Sequence, residues 1–310
     1  MKHLENNRKP NLFIVGAPKC GTTSLSEYLR SHPDIFVAKD KEVHYFCFDF
    51  DHRYPRPHSM SDYIDVFKNA RYENIIVDAS PWYLYSKEAV EAAYHFNSEA
   101  RFIAMIRSPF EMVPSLHRQL LNNNDEDEID LSTAWQLQSL RRQGKNLPAY
   151  CRDQSIIQYK DVCMLGKQIQ KFFQIVPPKQ RMVIALDDLK YDAKSVYQNV
   201  LSFLELKDDG RKEFPIANAS FHWRYPQLSN FILTPPEAVQ VLGRAILNLI
   251  GRDRIGLFRL FYRINNNHNR KRFLNNTLPQ KLLTEFHCAF SDDIDLLSRL
   301  LNRNLYGWLK

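Results

Sequence analysis

The stretch from Asn11 to Arg30, NLFIVGAPKCGTTSLSEYLR, constrains the fold more than any other part of the chain. Leu12-Phe13-Ile14-Val15 is an apolar run too short for a helix and made of strand formers. Gly16-Ala17-Pro18-Lys19-Cys20-Gly21 follows as a loop with a glycine at each end. Thr22-Thr23-Ser24 then open a segment whose Leu25, Tyr28 and Leu29 share one helical face. Strand, glycine-bounded loop and helix start together form an anion cradle. The first N–H groups of the helix and its dipole point at whatever sits in the loop, and the hydroxyls add donors. The expected ligand carries phosphate.

A nucleoside triphosphatase loop reads G-x-x-x-x-G-K-[ST], with lysine directly after the second glycine. Here that position is Thr22, and the lysine stands inside the loop as Lys19. From there it can reach the bridging oxygen of a transferring group without a magnesium ion to share the charge. Two further stretches have the chemistry to join such a site. Lys41-Glu42-Val43-His44-Tyr45-Phe46 places Glu42 and His44 two apart, on the same side of an extended chain, where either can take a proton. Arg101 to Arg107 is a strand, and Ser108-Pro109 start a helix running to about Leu121. Arg107 therefore stands at a strand's carboxyl end, where open α/β sheets bind ligands, and Ser115 follows two helical turns on. A guanidinium meets phosphate bidentately and keeps its charge.

These three strings resemble, in the same order, motifs of sulfotransferases that use 3′-phosphoadenylyl sulfate. P-K-C-G-T-T-S resembles the 5′-phosphosulfate loop, K-E-V-H-Y-F the K-E-x-H-[FY]-F segment of the heparan-sulfate type, and R-S-P-F-E-M-V-P-S the 3′-phosphate segment. The resemblance implies that Lys19, Cys20, Gly21, Thr22, Thr23 and Ser24 hold the 5′-phosphosulfate, with Lys19 neutralising the leaving oxygen. It implies that Arg107 and Ser115 hold the 3′-phosphate, and that Glu42 is the catalytic base, with Lys41 and His44 orienting acceptor and donor. Asp78-Ala79-Ser80-Pro81-Trp82-Tyr83 resembles the family's E-K-[ST]-P-x-Y segment, with Ala79 in place of its lysine. No metal is required by the mechanism this implies. The acceptor would be a small molecule, glycan or glycolipid, and the product nucleotide 3′-phosphoadenosine 5′-phosphate.

Two other readings stay open on the residues. Asn74 to Asp78 is an apolar strand ending in aspartate, as in the magnesium-holding strand of kinases and ATPases, so a magnesium-dependent P-loop kinase or NTPase is an alternative. A non-catalytic nucleotide-binding module would keep the cradle and leave Glu42 and His44 on the surface.

Strands alternate with helices from the start, which predicts an α/β fold: a P-loop-like three-layer domain with a central parallel sheet and a helical C-terminal part. A single domain is expected over 1–310, with a core at about 11–206 and a helical extension at about 235–310. The expected later elements are a helix over 86–97, a helix from about Leu131 to Gln143, one over 161–174, a strand at Arg181–Leu186, a helix over 193–204 and two closing helices after Pro279. Asp187 and Asp188, after that strand, read as turn and capping residues. Asp49 to Ser61 reads as a surface loop, and NNNDEDEID at 122–130 as an exposed acidic loop.

Net charge of +7 favours anionic partners, yet no interleaved aromatic and basic array points to nucleic acid. Five scattered cysteines without a C-x-x-C pair argue against a disulfide framework and a zinc site. With a polar N-terminus leading straight to the first strand and no apolar run near the ~20 residues of a membrane span, the expected location is cytoplasmic. Glu237 to Ile264 mixes arginines with large apolar residues, so it can pack on the core, bind an acidic acceptor or rest on a membrane surface. His222, Trp223 or Arg224 could lie against the donor's adenine or 3′-phosphate.

Overall fold

The structure, a computed structural model, describes residues 9–38, 42–215, 222–223, 266–267 and 278–309. Five parallel strands form its centre: β1 (Leu12–Gly16), β2 (Ile35–Val37), β3 (Ile75–Ala79), β4 (Arg101–Ile106) and β5 (Arg181–Ala185), in the order β2-β3-β1-β4-β5. Every residue of β1 and β3 is buried, which explains why they read as unbroken apolar runs: a parallel sheet is covered on both faces. Leu12 stands opposite Val77 on one side and Arg101 on the other. Phe13 stacks on Phe102 with centroids 5.0 Å apart, and full burial of each such ring contributes about 1.5–3 kcal/mol.

The chain runs from β1 out to the edge strand β2, returns through β3, then crosses to build the other half with β4 and β5. That reversal beside β1 leaves a crevice at the carboxyl ends of β1 and β4, the place where open α/β sheets take ligands. The helices α1 (Thr22–Arg30), α2 (Met60–Asp65), α3 (Ala89–Phe96), α4 (Pro109–Asn122), α5 (Leu131–Gln136), α6 (Gln138–Arg142), α7 (Tyr159–Cys163) and α8 (Leu165–Ile175) precede β5. After it come α9 (Leu186–Tyr191), α10 (Ala193–Phe203) and, at the end, α11 (Gln280–Leu301). Residues 222–223 pair antiparallel with 266–267.

Several expectations change in detail. The region after Pro279 holds one long helix, α11, packed along α8, and a 3-10 turn at Tyr306–Leu309 in place of two helices. The stretch 131–143 is split into α5 and α6, and 159–175 into α7 and α8. The segment 49–61 is irregular, but Phe50 and Tyr54 are buried against Trp82 and Met60 already opens α2.

The acidic loop at 122–130 is the largest departure. Asp125 and Glu126 are buried. Arg141 forks onto Glu126 at 2.5 and 2.6 Å, and Tyr159 donates to the same carboxylate at 2.6 Å. Arg152 binds Asp125 through Nε at 2.8 Å and through Nη2. Charges enter a core only when paired and hydrogen-bonded, and here both partners come from residues 15 or more positions further along the chain. The stretch 224–265, including Arg224 and the whole arginine-rich segment 237–264, lies outside the described residues. So do Arg270, Lys271 and Arg272. Among the described residues no helix is long and apolar enough to cross a membrane.

Candidate active site

The loop after β1 begins and ends on glycines whose backbone φ is +144° at Gly16 and +90° at Gly21, values that a side chain disfavours. At Gly16 a Cβ would also meet the Pro81 carbonyl oxygen at 2.4 Å. Gly21 is the residue before α1, so the positive end of the helix dipole faces the loop. Lys19 itself adopts φ +64°. Cys20 is buried against Met112, and burial pushes its thiol up to about 12, which makes it packing rather than a nucleophile.

Arg107 leaves the end of β4 and donates from Nη1 to the Lys19 carbonyl at 3.2 Å. It also pairs with Glu111, Nη2 to Oε2 at 2.7 Å, and Lys190 reaches the same carboxylate at 3.1 Å. Ser115 is buried in α4, on the stripe that carries Glu111 and Arg118. Arg118 is a cation that lies outside the motifs legible in the sequence. It is half-buried and has no carboxylate partner among the described residues. Its i, i+3 spacing from Ser115 was the available signal.

The ammonium of Lys19 is where these parts meet. Burial lowers its pKa from the ordinary lysine value; the Glu42 carboxylate opposes that shift, and the charges of Arg107 and Arg118 add to it. Lys19 thus has Glu42 as its acidic neighbour and two guanidinium groups as basic ones. The loop, the Glu42 segment and the Arg107 segment, far apart in sequence, lie close enough for their charges to act on one ammonium.

Glu42 and His44 both have left-handed backbones, φ +67° and +53°. The Glu42 carboxylate lies 3.9 Å from His44 Nε2 and is partly exposed, while the His44 side chain is buried. Lys41 lies outside the described residues. The aspartate that a magnesium-holding strand would need is committed elsewhere: Asp78, wholly buried, accepts from Ser80 at 2.6 Å and from Tyr63 and Tyr83 at 2.9 Å each. Among the described residues no group of three or more His, Cys, Asp or Glu is arranged to hold a metal ion.

The C-terminal segment closes one side. Trp308 Nε1 donates to Asp187 at 2.8 Å, Arg303 forks onto Asp188, and the Ser108 hydroxyl approaches the Trp308 carbonyl at 3.4 Å. The two acidic residues after β5 therefore fasten the chain end beside Arg107.

The sulfotransferase domain family matches residues 9–231, and the chain belongs to that family. Heparan sulfate glucosamine 3-O-sulfotransferase 5 of Homo sapiens is 24% identical over 197 residues, which is 64% of this chain and 54% of that protein. Carbohydrate sulfotransferase 15 of Homo sapiens is 22% identical over 257 residues, covering 66% of this chain and 45% of the other. The chain thus spans about half the length of the curated relatives it matches. In fold it is similar to a crystal structure of a sulfotransferase from Alicyclobacillus acidocaldarius, with a TM-score of 0.71 at 20% identity over 98% of this chain and 100% of the other.

Proposed function

We propose that the chain is a sulfotransferase moving the sulfuryl group of 3′-phosphoadenylyl sulfate to a hydroxyl or amine of a carbohydrate or glycolipid. The observation that carries this reading is the bond from Arg107 to the Lys19 carbonyl, which joins the end of β4 to the loop, with Glu42 and Arg118 close enough for their charges to act on the Lys19 ammonium. A cradle with three cations at a helix N-terminus suits a nucleotide bearing phosphates at both the 5′ and 3′ positions. The names of the relatives, heparan sulfate and carbohydrate sulfotransferases, support a glycan acceptor.

Each residue then has a defined task. The N–H groups from Cys20 to Thr23 and the hydroxyls of Thr22, Thr23 and Ser24 bind the 5′-phosphosulfate. Arg107 and Ser115 bind the 3′-phosphate. Glu42 accepts the proton of the acceptor hydroxyl as its oxygen attacks sulfur, with His44 beside it. The S–O bond to the 5′-phosphate breaks in line, its electron pair goes to the phosphate oxygen, and Lys19 neutralises that oxygen. Positioning and charge stabilisation, not covalent chemistry, supply most of the acceleration. Ala79 supplies no charge where the family has lysine, and we propose that Arg118, whose charge acts on Lys19, makes up for it.

The site residues require no metal ion for these steps. The arginine-rich sequence 237–264 has the composition to contact a membrane surface or acidic acceptor, and we place the reaction in the cytoplasm, in one domain spanning the chain. Incubation with radiolabelled 3′-phosphoadenylyl sulfate and heparan-type oligosaccharides tests the reading. Label should pass to the glycan, and Lys19→Ala and Glu42→Gln should each lower turnover ~10²-fold or more. Donor binding with no transfer to glycan or glycolipid would favour a non-catalytic module.

A further inference from the structure

Three alternate amides of the segment that carries Glu42 and His44 are docked on one short piece of chain. The Glu42 N–H donates to the Ala79 carbonyl at 3.0 Å. The His44 N–H donates to the Ser80 hydroxyl at 3.0 Å, and the Phe46 N–H reaches the Tyr83 hydroxyl at 3.4 Å. A hydroxyl can donate or accept, and which it does here is decided by Asp78. Ser80 gives its proton to Asp78 Oδ1 at 2.6 Å, and Tyr83 gives its proton to Oδ2 at 2.9 Å. With those protons committed to a carboxylate, both oxygens present lone pairs to the amides. Tyr63 donates to the same Oδ2 at 2.9 Å, which holds the carboxylate in turn. Asp78, Ser80 and Tyr83 are each 0% exposed, so water does not compete for these groups.

The docked segment needs such a hold. Glu42 and His44 occupy the left-handed region that residues with a Cβ avoid, and such conformations persist only where the surroundings impose them. We propose that Asp78, acting through Ser80 and Tyr83, is the positioning group that keeps Glu42 and His44 in this conformation and aims the base at the acceptor. The inference rests on the sulfotransferase reading for the chemistry, but the docking itself is a property of the fold.

The test compares the full chain with Ser80→Ala, Ser80→Thr and Tyr83→Phe. Ser80→Ala should lower kcat ~10- to 10²-fold and leave the Kd for 3′-phosphoadenosine 5′-phosphate within about twofold, because the donor cradle is untouched. Ser80→Thr, which restores the hydroxyl, should recover most of the rate. Amide hydrogen exchange over residues 42–46 needs no turnover and should speed up in Ser80→Ala and Tyr83→Phe. Tyr83→Phe carries the test if Ser80→Ala does not fold. Unchanged exchange and unchanged kcat in both would overturn the proposal. Equal losses of kcat and donor affinity without rescue by threonine would also overturn it, as the mark of a general packing role. A wild-type chain that transfers no sulfuryl group sinks the activity instead, and exchange then decides the docking alone.

Discussion

Arg107 donates to the main-chain carbonyl of Lys19 at 3.2 Å, tying the end of β4 to the loop after β1. One guanidinium thereby fixes the loop that carries the ammonium and stays beside the crevice itself. A loop held in this way is organised before any ligand arrives, which lowers the ordering cost of binding. Glu111, itself paired with Lys190, in turn holds Arg107 in place.

Arg118 has its charge but no carboxylate partner among the described residues, and burial and the Arg107 charge lower its pKa. A bound anion would supply what it lacks. Arg118→Ala should raise the Kd for 3′-phosphoadenosine 5′-phosphate about 10- to 10²-fold, the equivalent of about 1.5–3 kcal/mol for a charged hydrogen bond. Unfolding midpoints should hardly move, since removing the arginine also removes like-charge repulsion. Calorimetry together with thermal melts checks both outcomes.

Lys19 sets a pH dependence with a defined sign. Burial first, then Arg107 and Arg118, lower its pKa, with Glu42 opposing. Only the protonated amine can neutralise a leaving phosphate, so kcat/KM should fall on the alkaline side at a pH below the ordinary lysine range. A bound anion favours the ammonium, so the corresponding limb in kcat should lie at higher pH than in kcat/KM. Lys19→Arg, which keeps its charge throughout, should lose the limb even where it lowers the rate.

The buried Arg141–Glu126 pair predicts a large and asymmetric stability effect. Burial alone would raise the Glu126 pKa, but hydrogen bonds from Arg141 and Tyr159 outweigh it and leave it lowered. A lowered carboxylate pKa means stability that is present above the unfolded value of about 4.3 and lost as pH falls through the folded one. Arg141→Met should cost about 3–5 kcal/mol by stranding a buried charge, whereas Arg141→Met with Glu126→Leu should recover most of it. Urea melts at neutral pH and at acid pH read both effects.

The legible part of the protein was the part set by short-range chemistry. Gly16, Gly21 and the helix start at Thr22 carry their meaning within a few residues, and so does Arg107 at a strand end. The fate of a charge depends on distant partners. Asp125 and Glu126 read as solvated because nothing near them in sequence pairs them; Arg141 and Arg152 do so only once the chain has folded. Asp78 invited a magnesium reading for the same reason, since Tyr63, 15 residues earlier, is one of the three donors that claim it. The left-handed backbone at Glu42 and His44 had no local signal either, because neither is a glycine.

The most direct test of the central claim is a calorimetric titration without magnesium, setting 3′-phosphoadenosine 5′-phosphate against ADP on wild type and Arg107→Ala. Tight binding of the bisphosphate, weak binding of ADP and a marked loss in Arg107→Ala are the predicted results. Preference for ADP, or binding only once magnesium is added, would contradict the account and favour a kinase.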